Sequence, residues 1–194
     1  MLDRETILKV ARECYPANAL RYEEDVLFGD LSPMIRERGW LKLGELVEIV
    51  YWKSRRVVYL ARENDANTVR RLTRQAFDLA SRGDVESAVQ RLIWDGSGGL
   101  HGVKTRMASA ILTVYDPKVY TMMDERAWAS LQELREMGRE VYTPKSYAFY
   151  LGVCRDLSTT HGVTLRELDR CLFALKGRTA EEVLSLRAGQ GGEQ

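Results

Sequence analysis

Histidine and cysteine are scarce in this chain, and their scarcity removes several chemistries at once. Only two histidines occur, His101 and His161, which leaves little for a histidine-rich metal site or for histidine-based catalysis. His161, in TTHGV, reads as the end of a helix ahead of Gly162. The three cysteines, Cys14, Cys154 and Cys171, lie far apart and form no C-x-x-C. They read as reduced, buried thiols, so neither a metal nor any other cofactor is expected. Long apolar runs are missing too. No stretch approaches the ~18 consecutive apolar residues of a membrane span, and the amphipathic, charged MLDRETILKVARE does not resemble a secretory leader. A cytoplasmic, monomeric protein without membrane contacts is expected. Excess charge is small, with a formal net charge of +1. Any affinity for nucleic acid must therefore come from a local patch. Alternation of period two is also wanting; VVYL at 57–60 is the best strand candidate and is too short to build on.

What the chain does carry is helical periodicity almost throughout. Ile7, Leu8, Ala11 and Cys14 fall on one face of a first helix. Residues 41–55 form another, with Leu43, Leu46, Val47, Val50 and Tyr51 inward. A third starts at an Asn67 cap and stops at Gly83, and Asp84 caps the next. Thr143 caps a long helix with Pro144 in its first turn and Gly162 past its end. Thr164 with Glu167, and Thr179 with Glu182, are capping boxes. The spacing predicts an all-α protein of about ten short helices in two lobes. Residues 1–188 form one domain, and GQGGEQ (189–194) is a disordered tail.

The stretch GGLHGVKTRMASAILTVYDPKVYTMMDERAW, residues 98–128, is the most informative. It is not a phosphate-cradling P-loop. That loop needs lysine directly after glycine and a strand in front, whereas Val103 separates Gly102 from Lys104 and a helix precedes the glycines. It reads instead as two helices joined by a glycine-bearing turn, one ending near Asp95 and the other starting near Thr105. Gly102 lets the turn approach another backbone. The free amides at the second helix's start, with Lys104 and Arg106 beside them, suit a phosphate. The second helix runs ~16 Å at 1.5 Å per residue before Pro117 closes it. PKVYTMM then returns the chain so that Asp124, opening the next helix, lies back beside the turn.

This arrangement, LHGVKTRMA followed by YTMMD, resembles the helix-hairpin-helix DNA glycosylases, the superfamily of endonuclease III and the adenine-mismatch and 8-oxoguanine glycosylases. Their pattern is L-P-G-V-G-x-K-x-A, a helix, and a short return ending in a catalytic aspartate. Leu100, Gly102, Val103, Ala108 and Asp124 fall on the family positions without a gap. The match spans residues 92 to about 134, within a hairpin core of about 85–137. The resemblance implies an all-α glycosylase-like fold and Asp124 as the catalytic carboxylate. It also implies a DNA-backbone grip made by Gly102, Val103, Lys104, Thr105 and Arg106. His101 stands in place of the family's proline and Lys104 in place of its second glycine. Arg106 occupies the position where bifunctional members keep an amine nucleophile; a guanidinium stays protonated and cannot serve. The family's iron–sulfur cysteines are absent. The resemblance thus points to a monofunctional base-excision hydrolase, or to a non-catalytic DNA-binding protein that retains the fold.

Cleaving an N-glycosidic bond builds positive charge on the sugar, which a nearby carboxylate stabilises. The base must first leave the duplex for a pocket of aromatic and apolar groups, and Trp40, Tyr51, Trp52 and Trp94 are the candidates for that surface. A second basic area comprises Lys53, Arg55, Arg56, Arg62, Arg70, Arg71 and Arg74; it suits a DNA backbone, or equally a solvated helix face.

Overall fold

The structure, a computed structural model, describes residues 2–96, 98–134, 136–139 and 141–190. It is all-α. The helices are α1 (Arg4–Glu13), α2 (Ala17–Tyr22), α3 (Ser32–Arg38), α4 (Leu43–Lys53), α5 (Val58–Arg62), α6 (Ala66–Ser81), α7 (Val85–Leu92), α8 (Thr105–Tyr115), α9 (Glu125–Glu133), α10 (Pro144–His161), α11 (Leu165–Leu175) and α12 (Ala180–Gln190). A π-helical segment, Glu23–Leu31, links α2 to α3, and a 3-10 turn, Arg55–Val57, links α4 to α5. The described residues contain no strand, only an isolated bridge between Ile93 and Leu100. None of the described helices is long and apolar enough to cross a membrane.

The capping logic holds at most boundaries. Asp84, Thr143 and Thr164 each accept a first-turn amide with their side chains, and Gly162 closes α10 in the left-handed conformation. The box of Thr179 and Glu182 is formed at the start of α12. Four expectations change. The cap of α6 is Asp65, whose carboxylate accepts the Thr68 amide at 2.9 Å, and Asn67 lies inside the first turn. VVYL is the end of the 3-10 turn and the start of α5; burial of Val58 and Ala61, three apart on one helical face, overrides its β-branched character. On α4 the buried residues are Leu46, Ile49 and Val50, while Tyr51 is 44% exposed and holds the Arg55 guanidinium over its ring. Finally, α12 runs to Gln190, so residues 189 and 190 of the expected tail are helical; residues 191–194 lie outside the described residues.

The packing forms two groups of helices around one continuous apolar core. In one, α11 packs on α1, α9, α10 and α12, which brings the chain's first and last helices together. In the other, α4, α6 and α7 pack around the second half of the glycine-rich stretch, α8, nine of whose residues are buried. Helix α10 touches α7, α8 and α11 and so bridges the groups. The cysteines are free thiols; Cys154 and Cys171 are buried and Cys14 partly so. Burial pushes the Cys171 thiol up to about 12, so it stays protonated and unreactive.

Candidate active site

Helix α7 ends at Leu92, earlier than the sequence pattern indicates, because the chain turns at Ile93 to meet its own return. Leu100 donates its amide to Leu92 O at 3.0 Å and Trp94 donates to Val103 O at 2.9 Å. Gly102 adopts φ +80°, and a Cβ there would lie 3.3 Å from both Ala61 N and Val57 O. The close backbone approach is therefore real, and it is to the 3-10 turn and α5. A residue outside the hairpin locks the turn in place. Asn64, 7% exposed, accepts the His101 amide at 2.8 Å and donates its own amide to His101 O at 3.1 Å. Asn64→Ala leaves both groups of His101 without partners in a half-buried turn. The expected result is a loss of about 1–3 kcal/mol in chemical denaturation.

The return that carries Asp124 is pinned just as tightly. Tyr147 and Tyr150, both fully buried on α10, donate their hydroxyls to Thr121 O at 3.0 Å and Met122 O at 3.1 Å. Ser109 Oγ accepts the Met123 amide at 2.9 Å. Its neighbours Ala108 and Ala110 are fully buried, and these small side chains let the return pass against α8. Asp124 then caps α9 with one carboxylate oxygen, Oδ1 accepting from the Arg126 amide at 2.9 Å. The second oxygen does something else: Oδ2 accepts from Lys53 Nζ at 2.7 Å, with the two side chains 15% and 11% exposed. Burial by itself would raise the Asp124 pKa. The Lys53 charge and the hydrogen bonds from Lys53 and Arg126 outweigh it and hold the carboxyl below its ordinary value, so it is ionised at neutral pH.

Asp124 and the turn share an open cleft of about 400 Å³. Gly102, Lys104 and Arg106 line it from the hairpin, Lys53 and Arg56 from the end of α4 and the 3-10 turn, and Asp124, Glu125 and Arg126 from α9. Five cationic side chains thus face two carboxylates in a protein whose formal net charge is only +1. A larger hollow of about 670 Å³, against Arg71, Gln90 and Arg91, lies away from Asp124. The other hairpin residues shape the turn. Val103 is fully buried and donates its amide to Leu100 O at 3.0 Å. Thr105 is also buried and donates its hydroxyl to Tyr142 O at 3.1 Å. Arg106 pairs with Glu125 at 3.2 Å and lies over the Tyr142 ring. Lys104 donates to Trp94 O at 2.6 Å, and no side chain caps α8 at this end.

The four aromatic residues singled out for a base pocket sit elsewhere. The guanidiniums of Arg38 and Arg70 each lie 4.6 Å from the centre of the Trp40 ring, and the Trp94 ring leans on that of His101 with centroids 3.8 Å apart. Tyr51 stands outward under Arg55, while Trp52 meets Phe28 edge-on and donates Nε1 to Glu23 at 3.2 Å. None of them lines the cleft; the aromatic that does is Phe173 of α11, with the Arg126 guanidinium 4.5 Å above its ring. The basic area also divides. Lys53 and Arg56 reach the cleft, Arg55 and Arg70 cover aromatic rings, and Arg71 borders the other hollow.

An ionic cluster with no counterpart in the sequence reading supports this region from within. Glu23, fully buried at the start of the π-helical segment, accepts from Tyr15, Trp52, Arg166 and Arg170. Arg166 also pairs with Asp169. Burial pushes the Asp169 carboxyl up to about 6; Arg166 works against that shift, and Glu23 adds to it. Lys53 and Asp124 also contribute to the field at Asp169. Since Trp52 precedes Lys53, its hydrogen bond to Glu23 anchors the helix end that presents the lysine. No known protein family, curated protein or solved structure matches the chain.

Proposed function

We propose that this protein is a DNA glycosylase of the base-excision type, which flips an altered base from the duplex and cleaves its N-glycosidic bond beside Asp124. The observation that carries the reading is the cleft shared by Asp124 and the 102–106 turn. An ionised carboxylate there is suited to stabilising the oxocarbenium-like charge that grows on the sugar as the base departs. The uncapped start of α8 and the flanking cations suit the phosphates on either side, a contact that positions a strand and reads no sequence. Phe173 supplies an aromatic wall within the same cleft.

The test is release of free base from duplex oligonucleotides that each carry one lesion: uracil, 8-oxoguanine, a mispaired adenine or an alkylated base. Release from any of them supports the reading. Salt-dependent duplex binding with no release from the whole panel leaves a non-catalytic DNA-binding protein. Binding itself has an expected signature. Arg56 lines the cleft, and its charge takes part in no ion pair among those found for the described residues. Arg56→Gln is expected to weaken duplex binding about equally across sequences and to lower the slope of log K against log salt by about one. An unchanged slope in fluorescence-anisotropy titrations removes Arg56 from the backbone contact.

A further inference from the structure

The expectation of a monofunctional enzyme follows from position 106 alone, where the hairpin carries arginine. The fold brings a primary amine to Asp124 from a different element. Lys53 is the last residue of α4, distant in sequence from the hairpin, and its Nζ lies 2.7 Å from Asp124 Oδ2 inside the cleft. We propose that Lys53 is a catalytic residue, an amine nucleophile that forms a covalent imine with the sugar C1′ at this site. The proposal rests on the glycosylase reading for its substrate class, a deoxyribose whose C1′ is either base-bearing or abasic.

Three features support it. Lysine is a nucleophile only once its ammonium has lost a proton, and Asp124 Oδ2 is the acceptor within hydrogen-bond distance. The lysine is positioned: its side chain is 11% exposed, and the helix end that carries it is tied down by the Trp52–Glu23 hydrogen bond. The remaining cations of the cleft are Arg56, Arg106, Arg126 and Lys104. Guanidiniums do not form imines, and the Lys104 ammonium is engaged by Trp94 O at 2.6 Å.

At an abasic site the atoms balance as follows. Lys53 gives one proton to Asp124, and the amine lone pair forms an N–C1′ bond with the ring-opened aldehyde. Asp124 returns the proton to the carbinolamine hydroxyl, which leaves as water. The product is a protonated imine, and no oxidant or reductant is consumed. At a base-bearing sugar Asp124 stays ionised: Lys53 passes its first proton through water to the departing base, its lone pair forms the N–C1′ bond, and the bonding pair of the broken C1′–base bond leaves on that base. Asp124 then takes a proton from the new C1′–N ammonium and delivers it to O4′, so the sugar ring opens to the protonated imine.

The experiment incubates the full chain with a duplex containing one abasic site and adds sodium borohydride. Hydride reduces the imine to a stable secondary amine, and the cross-linked peptide is then identified by mass spectrometry. The expected result is an adduct on Lys53 that falls to the no-protein background in Lys53→Arg. That variant keeps a cation opposite Asp124 and therefore the helix-end ion pair, so a merely structural lysine would leave trapping unchanged. Thermal melts of both proteins confirm that the variant is folded. An adduct on Lys104 or the terminal amine, trapping that survives in Lys53→Arg, or no adduct on a duplex that binds overturns the proposal. Base release from the lesion panel is scored separately. Release without trapping leaves a water-using glycosylase with Lys53 as a structural partner. Trapping without release from any lesion keeps the amine nucleophile and discards base excision.

Discussion

On the glycosylase reading proposed above, asparagine at position 124 is expected to cut base release by about 10²–10³-fold, the range seen when one preorganised electrostatic group is removed from a transition state. The shape of the site survives the change, because an amide oxygen can still accept the Arg126 amide that Asp124 Oδ1 now accepts at 2.9 Å. What is lost is the negative charge opposite Lys53 and the developing sugar cation. Read as a helix cap alone, Asp124 could be exchanged for asparagine at no cost in stability. The ion pair changes that expectation. Lys53 is 11% exposed and loses the counter-charge that now lies at 2.7 Å, which costs about 1–3 kcal/mol. For a chain of this length each kcal/mol moves the melting temperature by roughly 2–4 °C. Single-turnover base release and a thermal melt on the same preparation check both halves. Wild-type release rates in Asp124→Asn would take the carboxylate out of the mechanism, and an unchanged melt would show the pair to be weak.

The largest effect on stability is expected at Glu23, which is nowhere near the sequence motif. Its carboxylate is fully buried and accepts from four side chains, Tyr15, Trp52, Arg166 and Arg170. Glu23→Ala strips a charge partner from Arg166, which is itself only 10% exposed, and leaves two aromatic donors without an acceptor. Breaking a buried ionic contact from one side costs about 3–5 kcal/mol, since the remaining charge cannot be rehydrated. The melting temperature is expected to fall by roughly 6–20 °C. Differential scanning calorimetry on the purified variant checks it. A fall of only a degree or two would mean that water reaches the cluster and screens it. Because Trp52 is tethered to Glu23, the same variant is also expected to loosen the end of α4 that presents Lys53.

These two residues show what a sequence reading can and cannot reach here. Asp124 was legible because its signals are local: an acid at a helix start, a return of fixed length, and a glycine turn upstream. Gly102 was legible for the same reason, since only a residue without a side chain fits φ +80° against the Ala61 backbone. Lys53 and Glu23 were not. Nothing in YWKSRR marks one cation among its neighbours as the partner of an acid far along the chain, and nothing marks Glu23 among the adjacent acids Glu24 and Asp25 as the buried one. Asn64 and Phe173 escaped for the same reason, each meeting the site through a contact between distant segments. The aromatic residues show the opposite case. Trp40, Trp52 and Trp94 have the size and chemistry of a base platform, yet Trp40 packs with two arginines, Trp52 meets Phe28 edge-on and Trp94 leans on His101, and none of them lines the cleft.

The sequence by itself determined the all-α class, most helix boundaries and the placement of one acid at the start of a helix behind a glycine hairpin. All of these follow from periodicity, capping and backbone conformation, which act over a few residues. Tertiary structure alone decided that five cations converge on that acid, that a lysine from α4 sits within hydrogen-bond distance of it, and that a buried glutamate holds the lysine's helix in place. Charge pairing and burial depend on which surfaces meet when helices pack, and no spacing along the chain encodes that.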